Sequence, residues 1–215
     1  MDKVIVVGAL KNVMWKGELG SRVDLDTIAN KKHLYGLGPE SFLKGELLVL
    51  DGQIYVSRVT SDTSMVVKRE ADLSAPFFVY TSVESWKDIQ LPDEIKSIPE
   101  LERFIDEQNA DIKTPFTFKL AGRAIRAKIH VQNLPKGTKV SSPEQAHQGQ
   151  TNYELMDEEV VILGFFSRKH QGIFTHHDSY LHMHLLTKDK SKMGHLDSLE
   201  IGKMTLSLAI DEDLR

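Results

Sequence analysis

The sequence predicts an α+β protein in which β-strands outweigh helices. Short runs of β-branched and aromatic residues, separated by turn residues, recur along the 215-residue chain. The clearest pair of runs, residues 45–50 and 53–56, flanks Asp51-Gly52, a dipeptide that favours the type I′ turn of a hairpin. We therefore expect an antiparallel hairpin near the start of the fold.

Three further strands follow from their composition. Residues 4–7 form a short apolar run, and residues 116–120 alternate between apolar and polar side chains. Both patterns are typical of strands. Residues 159–166 are apolar almost throughout, which predicts a strand that is buried on both faces.

Helices are predicted in three places. Residues 24–32 are expected to form a short helix. Ser97 and Glu100 have the spacing of a capping box, and they precede an amphipathic segment that should end near Asn109. A third helix is expected to begin at Ser142.

The segment 91–113 is the best candidate for a connection between two lobes, because it is rich in charge and contains two prolines. This division gives an N-terminal lobe at residues 1–112 with a mixed β-sheet. It also gives a β-rich, barrel-like lobe at residues 113–215. The alternative is that the helix within the segment packs on one continuous sheet.

Composition favours a small-molecule ligand. The net charge of −4, from 27 basic and 31 acidic residues, provides no positive field for nucleic acid or an anionic membrane. The absence of cysteine excludes disulfides and thiolate sites, so His, Asp and Glu are the strong metal ligands that remain. The first apolar run is too short for a signal peptide, so a cytoplasmic protein is expected.

The most informative pattern is a group of histidines near the end of the chain. His182 and His184 are two residues apart, so on a strand both side chains lie on one face. Residues 187–192 are polar and turn-like, which would bring His195 back beside the pair. Three imidazoles with an open fourth position are typical of a catalytic zinc site. The alternative is a solvated face that binds nothing.

Glu46 is the candidate carboxylate. Its neighbours in the run 45–50 are all small or apolar, and a buried carboxylate needs a partner such as a cation. An exposed position at the edge of the strand would be an equally good explanation.

Residues 123–132 alternate in polarity. The alternation places Arg126, Lys128, His130 and Gln132 on one face of a strand. Such a row can bind a substrate carboxylate, for which the planar guanidinium of arginine is best suited. A solvated face is the usual meaning of alternating charge and is the simpler interpretation.

Several segments together resemble the α-acetolactate decarboxylase family. The most specific are Leu181-His182-Met183-His184-Leu185 with Gly194-His195-Leu196-Asp197, and the stretch 44–55 that contains Glu46. Segments 35–38, 115–122 and 162–167 occur in the same order as in the family. The similarity covers nearly the whole chain.

The resemblance implies a two-lobed enzyme, usually a homodimer, that uses zinc to convert 2-acetolactate, a 2-hydroxy-3-oxo acid, to acetoin and carbon dioxide. It implies that His182, His184 and His195 are metal ligands and that Glu46 lies at the same site as ligand or proton carrier.

The chain departs from the family at two positions. The arginine expected to face the substrate carboxylate corresponds to His130 here, and Arg126 lies roughly 13 Å away along the strand at about 3.3 Å per residue. The second glutamate of the family comes from a longer C-terminal segment, for which Glu212 is the nearest candidate. These departures leave open a relative with another substrate, or one that binds a metal and a ligand without turnover.

Overall fold

A computed structural model describes residues 3–175 and 179–209. The strands are β1 (Ile5–Val7), β2 (Val23–Asp24), β3 (Leu34–Pro39), β4 (Glu46–Leu50), β5 (Gln53–Ser61), β6 (Ser64–Arg69), β7 (Ser74–Ala75), β8 (Phe78–Ser82), β9 (Trp86–Gln90), β10 (Phe116–Val131), β11 (Thr151–Phe166), β12 (Leu181–Thr187) and β13 (Met193–Ala209). The helices are α1 (Leu10–Lys16), α2 (Ile98–Gln108) and α3 (Pro143–Ala146), and single 3₁₀ turns occur at Leu25–Thr27 and Ser41–Leu43. The α+β class predicted from the sequence is confirmed.

The first sheet contains six strands in the order β1-β8-β3-β4-β5-β6. Every pairing within it is antiparallel, so the expectation of a mixed sheet was wrong in this respect. The predicted hairpin is present as β4 and β5. Asp51 and Gly52 have φ values of 47° and 76°, and positive values at both central residues are what a type I′ turn requires.

The second sheet closes on itself. Its order is β10-β11-β12-β13-β9, and β10 also pairs with β13, so β10 to β13 form a small antiparallel barrel. The long strand β10 unites the predicted strand 116–120 with the alternating segment 123–132. In β11, residues 162–166 are all buried, as the apolar run predicted.

The two sheets share one apolar contact region. Leu37, Leu48 and Val79 of the first sheet belong to the same buried cluster as Leu163 and Phe165 of β11. Burial of apolar surface between the sheets stabilises their relative position. This contact also fixes β4 against the barrel, which matters for the site described below.

The chain leaves the first sheet earlier than the predicted boundary at residue 112. Strand β9 pairs with β13, and the apolar face of α2 packs on the barrel core through Leu101 and Ile105. The transition therefore occurs between β8 and β9. The division into two domains stays a prediction.

Two of the three predicted helices are confirmed. Glu100 accepts hydrogen bonds from the Lys96 backbone N–H and the Ser97 hydroxyl at the start of α2, which extends to Gln108. The Ser142 hydroxyl oxygen accepts from the Gln145 N–H, and α3 is a single short turn.

The helix predicted at residues 24–32 was wrong, since only a 3₁₀ turn forms there. The Thr27 hydroxyl donates to the Asp24 carbonyl oxygen, and the Asn30 side chain accepts from the Lys32 N–H. Such local bonds between side chains and backbone compete with a helix. Helix α1 was not predicted. No helix in the described ranges is long and apolar enough to span a membrane.

Candidate metal centre

The predicted histidine group is present and buried. β12 ends at Thr187 and β13 begins at Met193, and the Thr187 N–H donates to the Lys192 carbonyl oxygen across the turn. This hairpin pairs His184 with His195, while His182 lies two residues away on the same face.

One potential ligand atom from each of His182, His184 and His195 lies within 4.8 Å of the others, and all three side chains are buried. Zinc binds imidazole nitrogen at about 2.0–2.1 Å, so nitrogens at this spacing can share one ion. The cluster can therefore hold a metal ion.

A close approach of two strands supports the cluster. A Cβ atom added at Gly194 would lie 2.5 Å from the His130 carbonyl oxygen, a distance that atoms do not tolerate. The glycine lets β13 lie tightly against β10. It thereby brings His195 beside His130. The two imidazole rings are stacked, with 4.7 Å between their centroids.

Glu46 is buried and faces the cluster. It lies at the start of β4 with 3% of its surface exposed, and its Oε2 atom is 3.6 Å from Nε2 of His184. Its Oε1 atom accepts a hydrogen bond of 3.3 Å from the Gln132 backbone N–H. The interpretation of Glu46 as an exposed residue at the strand edge is thus excluded.

Burial controls the protonation of these groups. It raises the pKa of the Glu46 carboxyl well above its usual range; the Gln132 N–H opposes this, and the negative charges of Asp197 and Glu40 reinforce it. Burial also lowers the pKa of His184 to about 3, reinforced by the nearby His130. His184 is therefore neutral at physiological pH, which is the form that binds metals.

The donor set fits a metal ion. His184 is fully buried and interacts with the Leu47 backbone, but neither of its ring nitrogens makes a hydrogen bond of normal geometry among the described residues. Buried polar atoms without a partner are rare in folded proteins and call for an explanation. A cation bound by neutral imidazoles would satisfy such a nitrogen and would also stabilise the ionised form of Glu46.

The other side of the site is formed by a polar network on β10 and β13. The Nδ1 atom of His130 lies 2.8 Å from Oδ1 of Asp197. Asp197 occupies a β-bulge, because Lys128 pairs with Ser198 while Ile129 pairs with Leu196. The bulge supplies one extra residue in β13, and such bulges re-aim side chains near sites.

A narrow cavity of about 40 Å³ adjoins these groups. Its polar lining comes from Glu46, His130, Gln132, His147, His182 and His195, and its apolar lining from α1, Pro39, Leu43, Phe77 and Phe174. Among the residues described, no arginine or lysine lines it. A larger cavity of about 390 Å³, bounded by α2, also touches His195 and Asp197 but reaches neither Glu46 nor His130.

Arg126 is not brought to the site. It is exposed on the barrel and lies between Met156 and Glu200 on the neighbouring strands. Glu212 lies outside the described residues. Sequence reasoning did not single out Asp197, Gln150 or His147, because the bulge and the return of the chain after β10 have no sequence signature.

Comparison with known proteins identifies the family of this chain. The sequence profile described as alpha-acetolactate decarboxylase matches residues 9–215. The chain belongs to the alpha-acetolactate decarboxylase family. A search of curated proteins found no match.

Solved structures similar to this alpha-acetolactate decarboxylase family member share its fold. The acetolactate decarboxylase of Bacillus subtilis subspecies spizizenii has a TM-score of 0.80 at 20% identity, covering 97% of this chain and 86% of that one. The enzyme of B. subtilis strain 168 has a TM-score of 0.76 at 18% identity, with 97% and 85% covered. A Staphylococcus aureus protein of unknown function, similar to alpha-acetolactate decarboxylase, has a TM-score of 0.82 at 16% identity, with 98% and 87% covered.

Proposed function

We propose that this protein is a zinc-dependent decarboxylase that converts 2-acetolactate to acetoin and carbon dioxide. The observation that carries the proposal is the buried cluster of three histidines, which faces a buried glutamate beside a narrow cavity. Membership of the decarboxylase family supports the choice of substrate. A cytoplasmic homodimer without nucleic-acid or membrane partners belongs to the same proposal.

In this proposal His182, His184 and His195 hold the metal ion. Zinc supplies positive charge that stabilises the negative charge developing on the substrate oxygens as carbon dioxide leaves. The neighbouring strands keep the three imidazoles in place. His182 and His184 are paired with β11, and His195 is paired with both β10 and β12. A preorganised site of this kind needs little rearrangement during the reaction.

Glu46 is the group that moves the proton. Loss of carbon dioxide breaks a carbon–carbon bond, and the electron pair passes into the neighbouring carbonyl group. Acetoin forms only when a proton is then delivered to carbon, which requires an acid within reach of the cavity. Glu46 lines that cavity, and the Gln132 N–H fixes its orientation.

The resemblance to the family implies that His130 takes the position of its arginine. His130 lines the cavity, stacks on His195 and lies 2.8 Å from Asp197. In the absence of a cationic side chain in the described lining, the substrate carboxylate depends on His130 and the metal. This arrangement favours a second candidate, a metal-binding relative that acts on another small 2-hydroxy-3-oxo acid or binds one without turnover.

A single assay tests the proposal. Protein purified without a histidine tag is loaded with zinc and incubated with racemic acetolactate, and acetoin and carbon dioxide are measured with and without a chelator. We expect product release in equal amounts, lost on chelation and restored by zinc. A reaction without protein gives the background rate.

Two results would contradict the proposal. Turnover that persists in metal-free protein would exclude a role for the metal. Stoichiometric zinc uptake without any product would instead support the non-catalytic or altered-substrate relative.

A further inference from the structure

Gln132 combines a position in the site with an unusual hydrogen-bonding state. It directly follows β10, has only 4% of its surface exposed and lines the cavity beside His130. Its backbone N–H already holds Glu46. The side chain therefore lies beside the place where a ligand would bind.

The nitrogen of this amide is directed at two protein groups. The Nε2 atom donates to Oε1 of Gln150 at 3.2 Å and lies 3.5 Å from Nε2 of His130. The Nδ1 atom of His130 lies 2.8 Å from Oδ1 of Asp197, which holds the ring in place beside Gln132. The amide nitrogen of Gln132 thus faces Gln150 and His130, whereas its oxygen faces neither.

A second amide is oriented to match that of Gln132. The Gln150 Nε2 atom donates to Oδ1 of Asn152 at 3.3 Å, so its oxygen points to Gln132. With Gln150 in this orientation, reversing the Gln132 amide would place its oxygen against the Gln150 oxygen. The amides of Asn152, Gln150 and Gln132 therefore form one continuous chain in which the Gln132 nitrogen is the donor.

This orientation leaves the Oε1 atom of Gln132 as a buried acceptor. It has no hydrogen-bond partner among the described residues. A buried carbonyl oxygen without a donor is costly, and a fully connected network that ends in such an atom is suited to receive a donor from a ligand. A carboxylate oxygen would be repelled there, whereas a hydroxyl group can donate.

We infer that Oε1 of Gln132 accepts a hydrogen bond from the hydroxyl group of a small 2-hydroxy acid bound in this cavity. Gln132 is then a specificity-determining residue that favours a hydroxylated acid over the same acid without the hydroxyl. The inference rests on the proposed function for the location of the ligand, but it concerns recognition and not turnover.

The test measures binding, so it does not depend on decarboxylation. The affinities of the zinc-loaded protein for 2-hydroxy-2-methylpropanoate and for 2-methylpropanoate are compared by calorimetry in the wild type and in Gln132→Met. We expect about a 10-fold loss of affinity for the hydroxy acid in the variant, the size of one hydrogen bond to a ligand, and little change for the other acid. Zinc is bound in both proteins, so its contribution to affinity would cancel in the comparison.

Two further variants complete the design. Gln150→Met removes the acceptor that orients Gln132 and should weaken hydroxy-acid binding by a smaller factor; it also serves if Gln132→Met fails to fold. Gln148→Met changes an exposed glutamine on the same connection and should change neither affinity.

An equal loss for both acids, or no loss for either, would overturn the inference. So would a wild type that binds neither acid. Acetoin assays on the same proteins separate the two proposals: absence of turnover contradicts the decarboxylase function, while the difference in binding still reports on Gln132.

Discussion

The two ends of the polar face of β10 have the same residue pattern and different surroundings. At the open end, defined as Arg126 and Lys128, both side chains are exposed. At the covered end, defined as His130 and Gln132, the exposed fractions are 8% and 4%. Alternation thus predicts which side chains share a face, but it does not predict what covers that face.

The covering comes from the first sheet and from the bulge in β13. Glu46 of β4 contacts the backbone of Gln132, and Asp197 turns towards His130. The open end lies against Met156, itself 55% exposed, and has no such neighbour from β4. Chemistry is therefore expected at the covered end, where water is excluded and electrostatic interactions are strong.

The largest expected effect on metal content and activity comes from removing one of the three histidines next to the covered end. His182→Ala should lose bound metal and acetoin formation together, since two imidazoles bind zinc far more weakly than three. Elemental analysis and the acetoin assay measure both properties. Zinc at 100 times its Kd should stabilise the wild type by about 2.7 kcal/mol and should have little effect on the unfolding temperature of the variant.

His33→Asn is the matched control, because His33 is partly exposed, lies away from the cluster, and has a positive φ that asparagine tolerates. It should keep the full metal content. A His182→Ala protein that still binds one zinc per chain would show that the histidine cluster is not the metal site.

A smaller but still large effect is expected from Glu46→Gln. Glutamine has nearly the same shape and keeps an oxygen that accepts from the Gln132 N–H, but it cannot deliver a proton. We expect kcat to fall about 10²–10⁴-fold, the range for loss of a general acid, with metal content unchanged. Steady-state kinetics and elemental analysis on one preparation distinguish the two roles of Glu46.

Loss of the metal in Glu46→Gln would identify Glu46 as a ligand and not a proton carrier. An unchanged kcat would show that Glu46 is neither a metal ligand nor the proton carrier. Glu154→Gln, at an exposed position of β11, controls for the loss of one negative charge and should behave as the wild type.

The sequence predicts those parts of the site that depend on local periodicity. His182 and His184 share a face because strand side chains alternate, and a polar turn returns His195 to them. Glu46 is recognisable as a carboxylate within an apolar strand. These features need no knowledge of how the two sheets are arranged.

The remaining parts depend on long-range contacts. Asp197 reaches His130 through a bulge in the pairing of β10 with β13, which closes the barrel across more than sixty residues of chain. The contact of Gln132 with Gln150 depends on the path of the connection after β10. Neither has a local signal, and the error at residues 24–32 came from local bonds that outweigh helix propensity.

The smallest effect on activity is expected at the open end. It tests most directly whether burial separates the two ends of the polar face of β10. Arg126→Ala removes the guanidinium that the alternating pattern suggested for the substrate carboxylate, but its side chain is exposed and does not line the cavity. We expect KM and kcat for acetolactate to stay within about twofold and the free energy of unfolding to change by less than about 0.5 kcal/mol, as for most surface substitutions. His130→Ala, four residues along the same face, should raise KM, because it removes a cavity side chain and leaves Asp197 without its partner. If Arg126→Ala raised KM as much as His130→Ala does, the polar face of β10 would act as one binding surface, and burial by the first sheet would not be what separates its two ends.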